Sequence, residues 1–491
     1  MRTVLLGVDE LTSTQVAALA CRRVAPEVAA EAMTRVAAAR AQAATASARR
    51  PTYGYGTGVG ANLITPVAAE HLDRFGLDLL RAHSGGIGPL LPVPAARAML
   101  AVRLNQLLRA GSAVGENAVR ALASALASGH VPAVHAHGSV GSADLSALAE
   151  LALTVAGELP WLPGAGQGPM PEPVSLSGWD ALPLISSSAL TIGRAALAAA
   201  DLRVLLDAVA PLAALVLLAD RGGLEPFDAA VHRLRPHAGA AATAARMRAL
   251  IPGPLPAPAR VQDRFGLRTL PQVHGAAVEA WDALDAVLRI EINAAAENPL
   301  LVRDGADGAA RYVHHGGFHQ AHLALALDHL RLALVGTAEL SAARLAELFE
   351  PHRTGLPAFL ARSGDGSSGL MILEYGVQSA LAQLRGAAQP ATLNHAVLSN
   401  GDEDHASFAP LAVTRLEECV ELLRLVLAAE LVASTRALRM RRVEVAAAGS
   451  AELAAFAAAA ADVLDPRMED RNLTEDVERA AQLLLPPHDA D

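Results

Sequence analysis

"ALTIGRAALAAADLRVLLDAVAPLAALVLLAD", residues 189–220, decides what kind of molecule this is. Apolar residues return along it at i, i+3 and i+4, the pattern of a helix with a packed face. Its most apolar part, Ala208 to Ala219, is about a dozen residues long and contains Pro211, short of the roughly 18 that a bilayer span needs. The stretch therefore reads as a core helix, and no membrane segment is expected. The same period recurs over 272–296, 318–350, 370–388 and 408–445, separated by Gly/Pro loops at 252–258, 304–308, 351–368 and 389–407.

Upstream the pattern is more broken. Residues 13–49 read as helices, and helical periodicity returns over 66–83 and 94–129 around a Gly/Pro loop at 84–94. The Pro- and Gly-rich segment 160–182 reads as a long surface excursion. The expected fold class is all-α: a loop-rich N-terminal helical part carrying active-site loops (1–188), a long-helix central bundle (189–465) and an acidic helical tail (466–491). With 52% hydrophobic but only 3% aromatic residues in 491, the core must be built of Ala, Leu and Val, which suits closely packed helices.

Composition also excludes. A net charge of −10, with no basic tail or patch, argues against nucleic acid as a partner. The opening "MRTVLLGVDELTSTQ" has an apolar patch too short for a secretory signal and meets Asp9 and Glu10 at once. Cys21 and Cys419 form no disulfide framework, so a cytoplasmic location is expected. All 40 basic residues are arginine. That removes a pyridoxal-phosphate Schiff base, a phosphate-loop lysine and a lysine nucleophile.

Few polar clusters remain. "YGYGTGVGANL" (53–63) has the wrong glycine spacing and context for a dinucleotide loop. It reads as a flexible loop, or as a mobile loop presenting Tyr53 as an acid or base if its pKa is lowered. His83, in "RAHSGGIG", is either a structural hydrogen-bonder or a catalyst. "VQDRFGLRTLPQVHG" (261–275) holds Arg268 in an apolar context, which suggests a buried ion pair or a carboxylate clamp. In "HHGGFHQAH" (314–322), His315, His319 and His322 stand at helical spacing. No acid or cysteine accompanies them at ligand spacing, so polar contacts at a helix start are expected rather than a metal. Asp402, Glu403, Asp404 and His405 precede a long helix, where acids serve as caps and dipole partners. Finally, "HAHGSVGSADLSALAEL" (135–151) is a turn, a phosphate cradle or the seed of a chemically modified backbone.

In order, these clusters resemble the histidine/phenylalanine ammonia-lyase superfamily. The resemblance spans almost the whole chain. It runs from "YGYGTGVG" through "VRLNQLLRAGS" (102–112), "GSVGSADLSALAEL", "VQDRFGLRTLPQVHG", "EINAAAENPL" (291–300), "GGFHQAHLALALD" (316–328) and "SGLMILEYGVQSALAQL" (368–384) to "GDEDHASF". It implies a mostly α-helical homotetramer whose active sites are shared between subunits. It also implies elimination or migration of the amino group of an aromatic amino acid. The family's electrophile, methylidene-imidazolone, forms when consecutive Ala-Ser-Gly residues cyclise and lose water. Glycine suits the closing position because its nitrogen must approach another backbone closely.

Here the sequence departs. The family reads Gly-Ser-Val-Gly-Ala-Ser-Gly-Asp-Leu, whereas this chain reads Gly138-Ser139-Val140-Gly141-Ser142-Ala143-Asp144-Leu145, one residue shorter. Aligned back from Asp144, the triad is Gly141-Ser142-Ala143; aligned forward from Gly138, it is interrupted. The asparagine of the family's "LINGT" motif is Ser186, the tyrosine of "QDxYSLR" is Phe265, and "SGGNFH" has become "HHGGFH", which adds His314 and His315. By contrast, the resemblance carries over to Tyr53 (loop base), His83 (a second polar group), Gln262 (an amide beside the carboxylate), Arg268 (carboxylate binding), Phe318 (aromatic wall) and Glu403 (the acid near the substrate amine).

Loss is concentrated around the electrophile, while the acid–base and carboxylate-binding positions stand. The reading that follows is an enzyme with no cofactor. Its Tyr53 would be tyrosinate-like with His83 as partner, and would eliminate, isomerise or cyclise a carboxylate-bearing, amino-acid-derived small molecule. The alternatives are a methylidene-imidazolone-dependent lyase or aminomutase with an atypical Gly-Ser-Ala triad, and a non-catalytic binding or scaffold homologue.

Overall fold

A computed structural model describes residues 2–48, 52–163, 168–303, 309–362 and 366–488. The chain is mostly helical and divides into two compact units that are not consecutive in sequence. The first contains residues 1–200, 285–327 and 390–413; the second contains 201–284, 328–389 and 414–491. Four long helices, Ala189–Asp220, Leu270–Asn293, Ala321–Leu348 and Ala409–Arg441, each begin in one unit and end in the other. The units thus cut across the sequence-based segments 1–188, 189–465 and 466–491.

Among the described residues, every strand lies in the first unit, as four two-stranded pairs. Arg2–Leu6 pairs in parallel with Val24–Val28, while Ile87–Leu90 with His135–His137, Val131–Pro132 with Trp161–Leu162, and Leu300–Arg303 with Ala310–Val313 are antiparallel. One of them separates the helices expected over 13–49. Helix Ser13–Ala20 stops at Cys21, the chain extends through Val24–Val28 around Pro26, and helix resumes at Ala30–Ser47. Proline supplies no N–H to a helix interior, and valines fit a pleat. Similarly, the 94–129 segment is two helices, Val93–Leu107 and Glu116–Ser128, parted where Ala110 takes φ +60°.

Local chemistry sets the helix ends. Thr12 and Gln15 form a reciprocal capping box at Ser13–Ala20, and Ser177 with Asp180 does the same at Gly178–Ile185. Val93–Leu107 is buried on almost every face, so it is a core helix of the first unit rather than a surface one. Helices Gly178–Ile185 and Ala189–Asp220 together form a stretch long and apolar enough to cross a bilayer by length and composition, contrary to the sequence estimate. However, 78% of its apolar window is buried within the chain, as in the core helix of a globular protein.

Candidate active site

The first unit brings three irregular segments together: the glycine-rich loop after Thr52, the 138–144 turn, and the 398–408 turn. Tyr53 is half-buried. Its phenol oxygen accepts a hydrogen bond from the Gly60 N–H at 2.8 Å, and its backbone N–H donates to His314 Nε2 at 3.1 Å. Burial raises the phenol pKa above its ordinary 10.0; the Gly60 N–H opposes this, and the negative charges of Glu403 and Asp402 add to it. The expected tyrosinate-like Tyr53 is therefore corrected: the phenol rests protonated.

The 138–144 turn is pinned at both ends. The Phe408 N–H donates to the Val140 carbonyl at 2.8 Å, and the Asp144 N–H donates to the Ser187 carbonyl at 2.8 Å. Buried Asp144 in turn accepts from the Thr191 N–H and hydroxyl, both at 2.8 Å. Burial raises its pKa, and the Thr191 bonds favour the carboxylate. Between the pins, the Ser142 hydroxyl donates to Glu403 Oε2 at 2.6 Å, and the Ser407 hydroxyl donates to the Gly141 carbonyl at 3.0 Å.

Gly141 has φ +94°, and a Cβ there would lie 2.0 Å from Ser407 Oγ, so alanine cannot stand at this position without movement. Ala143 has φ +107° and is buried with its Cβ in place. Alanine in that region is strained, yet the position keeps the backbone conformation that glycine favours. Aligned back from Asp144, the first of the three positions, Gly141, carries no side chain and the third, Ala143, carries one.

Behind the turn, the Ser186 hydroxyl accepts from the Asn298 N–H at 2.8 Å, and Asn298 Oδ1 accepts from the His315 N–H at 3.0 Å. His315 donates from Nε2 to the Glu297 carbonyl at 2.7 Å and accepts the Gly317 N–H at Nδ1, so both ring nitrogens serve the loop. Phe318 is held through its carbonyl, which accepts from the Ser188 hydroxyl at 3.1 Å. His319 Nε2 and His405 Nδ1 are 3.0 Å apart. The helical spacing assumed for His315, His319 and His322 does not exist, because Gly316 and Gly317 break the segment and helix begins only at Ala321. His83 Nδ1 donates to the Leu79 carbonyl at 2.8 Å, and Nε2 has no partner among the described residues. Among the described residues no hydrogen bond joins His83 to Tyr53. Nor do Asp402, Glu403 and Asp404 cap a helix: the next one starts at Ala409.

The second unit holds Gln262, Phe265 and Arg268. Arg268 is half-buried, donates to Gln262 Oε1, and its guanidinium carbon sits 4.6 Å from the centre of the Phe265 ring, which is 61% exposed. It has no carboxylate partner among the described residues, and a guanidinium so placed can take a carboxylate. The loop beneath is fixed by charge. Arg260 bridges buried Asp220 and Asp263, Asp263 accepts the Gly223 N–H at 2.8 Å, and Arg344 donates to the Gly266 carbonyl at 3.0 Å.

Burial and the neighbouring Glu347 and Asp263 push Asp220 up to about 7, against the pull of Arg260. A carboxyl whose folded pKa lies above its unfolded value near 3.8 contributes stability that is complete below pH 4 and lost as pH rises through 7. Asp220→Asn is therefore expected to shrink the gain in unfolding temperature between pH 8 and pH 6, by on the order of 1–3 °C. An unchanged gain in thermal melts would contradict this origin of the shift.

Ser407 escaped sequence reasoning, and Asp402 was read only as a cap or dipole partner of a helix. Ser407 meets Gly141 across 266 residues, a pairing no local pattern announces. Asp144 was in view only as an alignment anchor.

Residues 11–461 match the model of a family described as aromatic amino acid lyase. A histidine ammonia-lyase from Sorangium cellulosum is 34% identical over 479 residues, covering 93% of this chain and 92% of that protein. The crystal structure of histidine ammonia-lyase from Trypanosoma cruzi superposes with a TM-score of 0.89 at 28% identity, covering 99% of this chain and 93% of that one. Tyrosine aminomutase from Streptomyces globisporus gives 0.90 at 27% identity, with 98% and 96% covered.

Proposed function

Because the chain belongs to the aromatic amino acid lyase family, an enzyme family of the lyase class, we propose that it is a lyase-type enzyme working without the family's methylidene-imidazolone. In its place the chain would use acid–base chemistry at Tyr53 and Glu403. The supporting observation is the altered triad: Gly141 occupies a place where a Cβ would meet Ser407, and Ala143 brings a Cβ to the closing position. These residues do not fit the cyclised group. Ser186, where the family's asparagine supports the electrophile, is engaged with the Asn298 backbone instead.

The substrate class is a carboxylate-bearing, amino-acid-derived small molecule. Arg268, bonded to Gln262, stacked on Phe265 and without a carboxylate partner among the described residues, supplies a planar fork for the carboxylate. Glu403 and Asp402 supply negative charge for a substrate ammonium. That cation would cancel the two fields that help to hold the Tyr53 proton, while the Gly60 N–H favours the phenolate. Tyr53 then reaches its basic form only with substrate bound, and takes or returns a proton at carbon. His83, whose Nε2 has no partner among the described residues, is available as a second polar group. Elimination, isomerisation and cyclisation all need this positioned proton transfer.

The same reading takes a homotetramer with sites completed by more than one subunit. Exposed Leu325 and Leu332 on Ala321–Leu348, and Ile372 and Tyr375 on Ile372–Ala387, support a covered surface.

One observation favours the rival reading: Ser142, whose hydroxyl would be lost on cyclisation, lies on the Glu403 carboxylate. Intact-mass spectrometry separates the two. The purified protein is expected at its full sequence mass, and a deficit of two waters in the peptide spanning 138–145 would establish the electrophile.

A further inference from the structure

A cavity of about 530 Å³ lies wholly within the second unit, away from Gln262, Phe265 and Arg268, none of which lines it. Leu217, Leu255 and Met440 are among the apolar side chains of its wall, and Arg221, Arg441 and Glu444 are its charged ones. This is the size and character of a small-molecule site: an apolar chamber with a few polar groups gathered on it.

The two arginines are held differently. Arg441 donates from Nε to the Ala219 carbonyl and from Nη2 to the Thr354 carbonyl, so its plane is fixed while Nη1 has no protein acceptor among the described residues. Arg221 follows the end of helix Ala189–Asp220 at φ +57°, and its side chain makes no hydrogen bond or ion pair among the described residues. Burial lowers the Arg441 pKa, and the Arg221 charge lowers it further, which places the two guanidinium groups within each other's field. Asp220 and Arg260 also act on Arg441, with opposite signs. Glu444 pairs with neither arginine among the described residues.

We propose that this cavity binds an apolar monocarboxylate, its chain against the leucines and Met440, its carboxylate on Arg221 and the free Nη1 of Arg441. Charge complementarity selects the anion, since Arg221 and Arg441 outnumber Glu444 on the wall and leave the lining with an excess positive charge. The chamber selects the apolar tail, because each buried methylene favours binding while a second charge inside it would be left unsolvated. The site is independent of the proposed reaction and requires no chemistry.

Decanoate is the probe, titrated into the full-length protein by isothermal calorimetry, with decanol as the uncharged control. Saturable decanoate binding is expected, weakened about tenfold or more in Arg221→Ala and unaffected in Arg268→Ala. Because Arg221 is exposed and unbonded, its loss leaves the fold intact, and a normal melting temperature checks this. Ala448→Trp, which fills the chamber from its wall, is expected to abolish binding as well. Absence of decanoate binding overturns the proposal, as does equal affinity for decanol. Binding lost in Arg268→Ala but kept in Arg221→Ala overturns it too, by assigning the carboxylate to Arg268.

Discussion

Replacing Arg344 by methionine is expected to cost about 3–5 kcal/mol, the penalty for stranding a buried charge. Arg344 and Glu430 are both fully buried in the second unit. Two parallel bonds join them, from Nε to Oε1 at 2.6 Å and from Nη2 to Oε2 at 2.9 Å, and the Ser341 hydroxyl donates to the same carboxylate. Without the guanidinium, Glu430 keeps only one serine as partner in a medium where an unpaired carboxylate is poorly tolerated. Urea or thermal unfolding of the variant reads the effect as a large fall in the midpoint. The double variant Arg344→Met/Glu430→Leu removes both charges and is expected to recover most of the loss, since an apolar pair of similar volume replaces a desolvated one. If the double variant is as unstable as the single, the cost lies in packing or in the lost bond to Gly266 rather than in the stranded charge. That bond matters on its own account, because the Gly266 carbonyl sits between Phe265 and Arg268.

Replacing Tyr53 by phenylalanine is expected to lower turnover by about 10²–10⁴-fold, the range for a positioned acid or base, with the fold unchanged. The assay begins with an unbiased screen for a metabolite that the wild-type protein consumes. Phenylalanine keeps the ring and removes only the oxygen that accepts the Gly60 N–H, so packing should survive. A variant that turns over the same metabolite within a factor of a few would remove Tyr53 from the chemistry. The raised phenol pKa carries a further condition: the free enzyme should show no phenolate absorbance from Tyr53 below pH 10.

The long helices were legible because their apolar period persists over many turns, and Ala189–Asp220 appears at the expected residues. The short strands were not. Val24–Val28 sits among alanines and valines that suit either state, and only its pairing with Arg2–Leu6 makes it a strand. His315, His319 and His322 were misread because spacing implies a shared face only inside a helix, and two glycines precede the helix here. Tyr53 was named from its place in the sequence, but the direction of its pKa depends on burial and on Glu403, some 350 residues away along the chain and close only in the fold. Arg268 left two alternatives open, an ion pair and a carboxylate clamp, because the sequence does not show which groups the fold brings to a guanidinium.

The pins on either side of residues 141–143 fix the length of the turn as well as its place. Val140 is tied to Phe408, and Asp144 to Ser187 and Thr191, so three residues bridge a span whose two ends belong to other parts of the fold. Putting glycine at 143 would remove a methyl group but would not lengthen the bridge. A side chain at 141 would meet Ser407, which already fills the space beside it. The turn is in effect a tether of set length, and its two anchors rather than its own three residues decide how far Ser142 can reach.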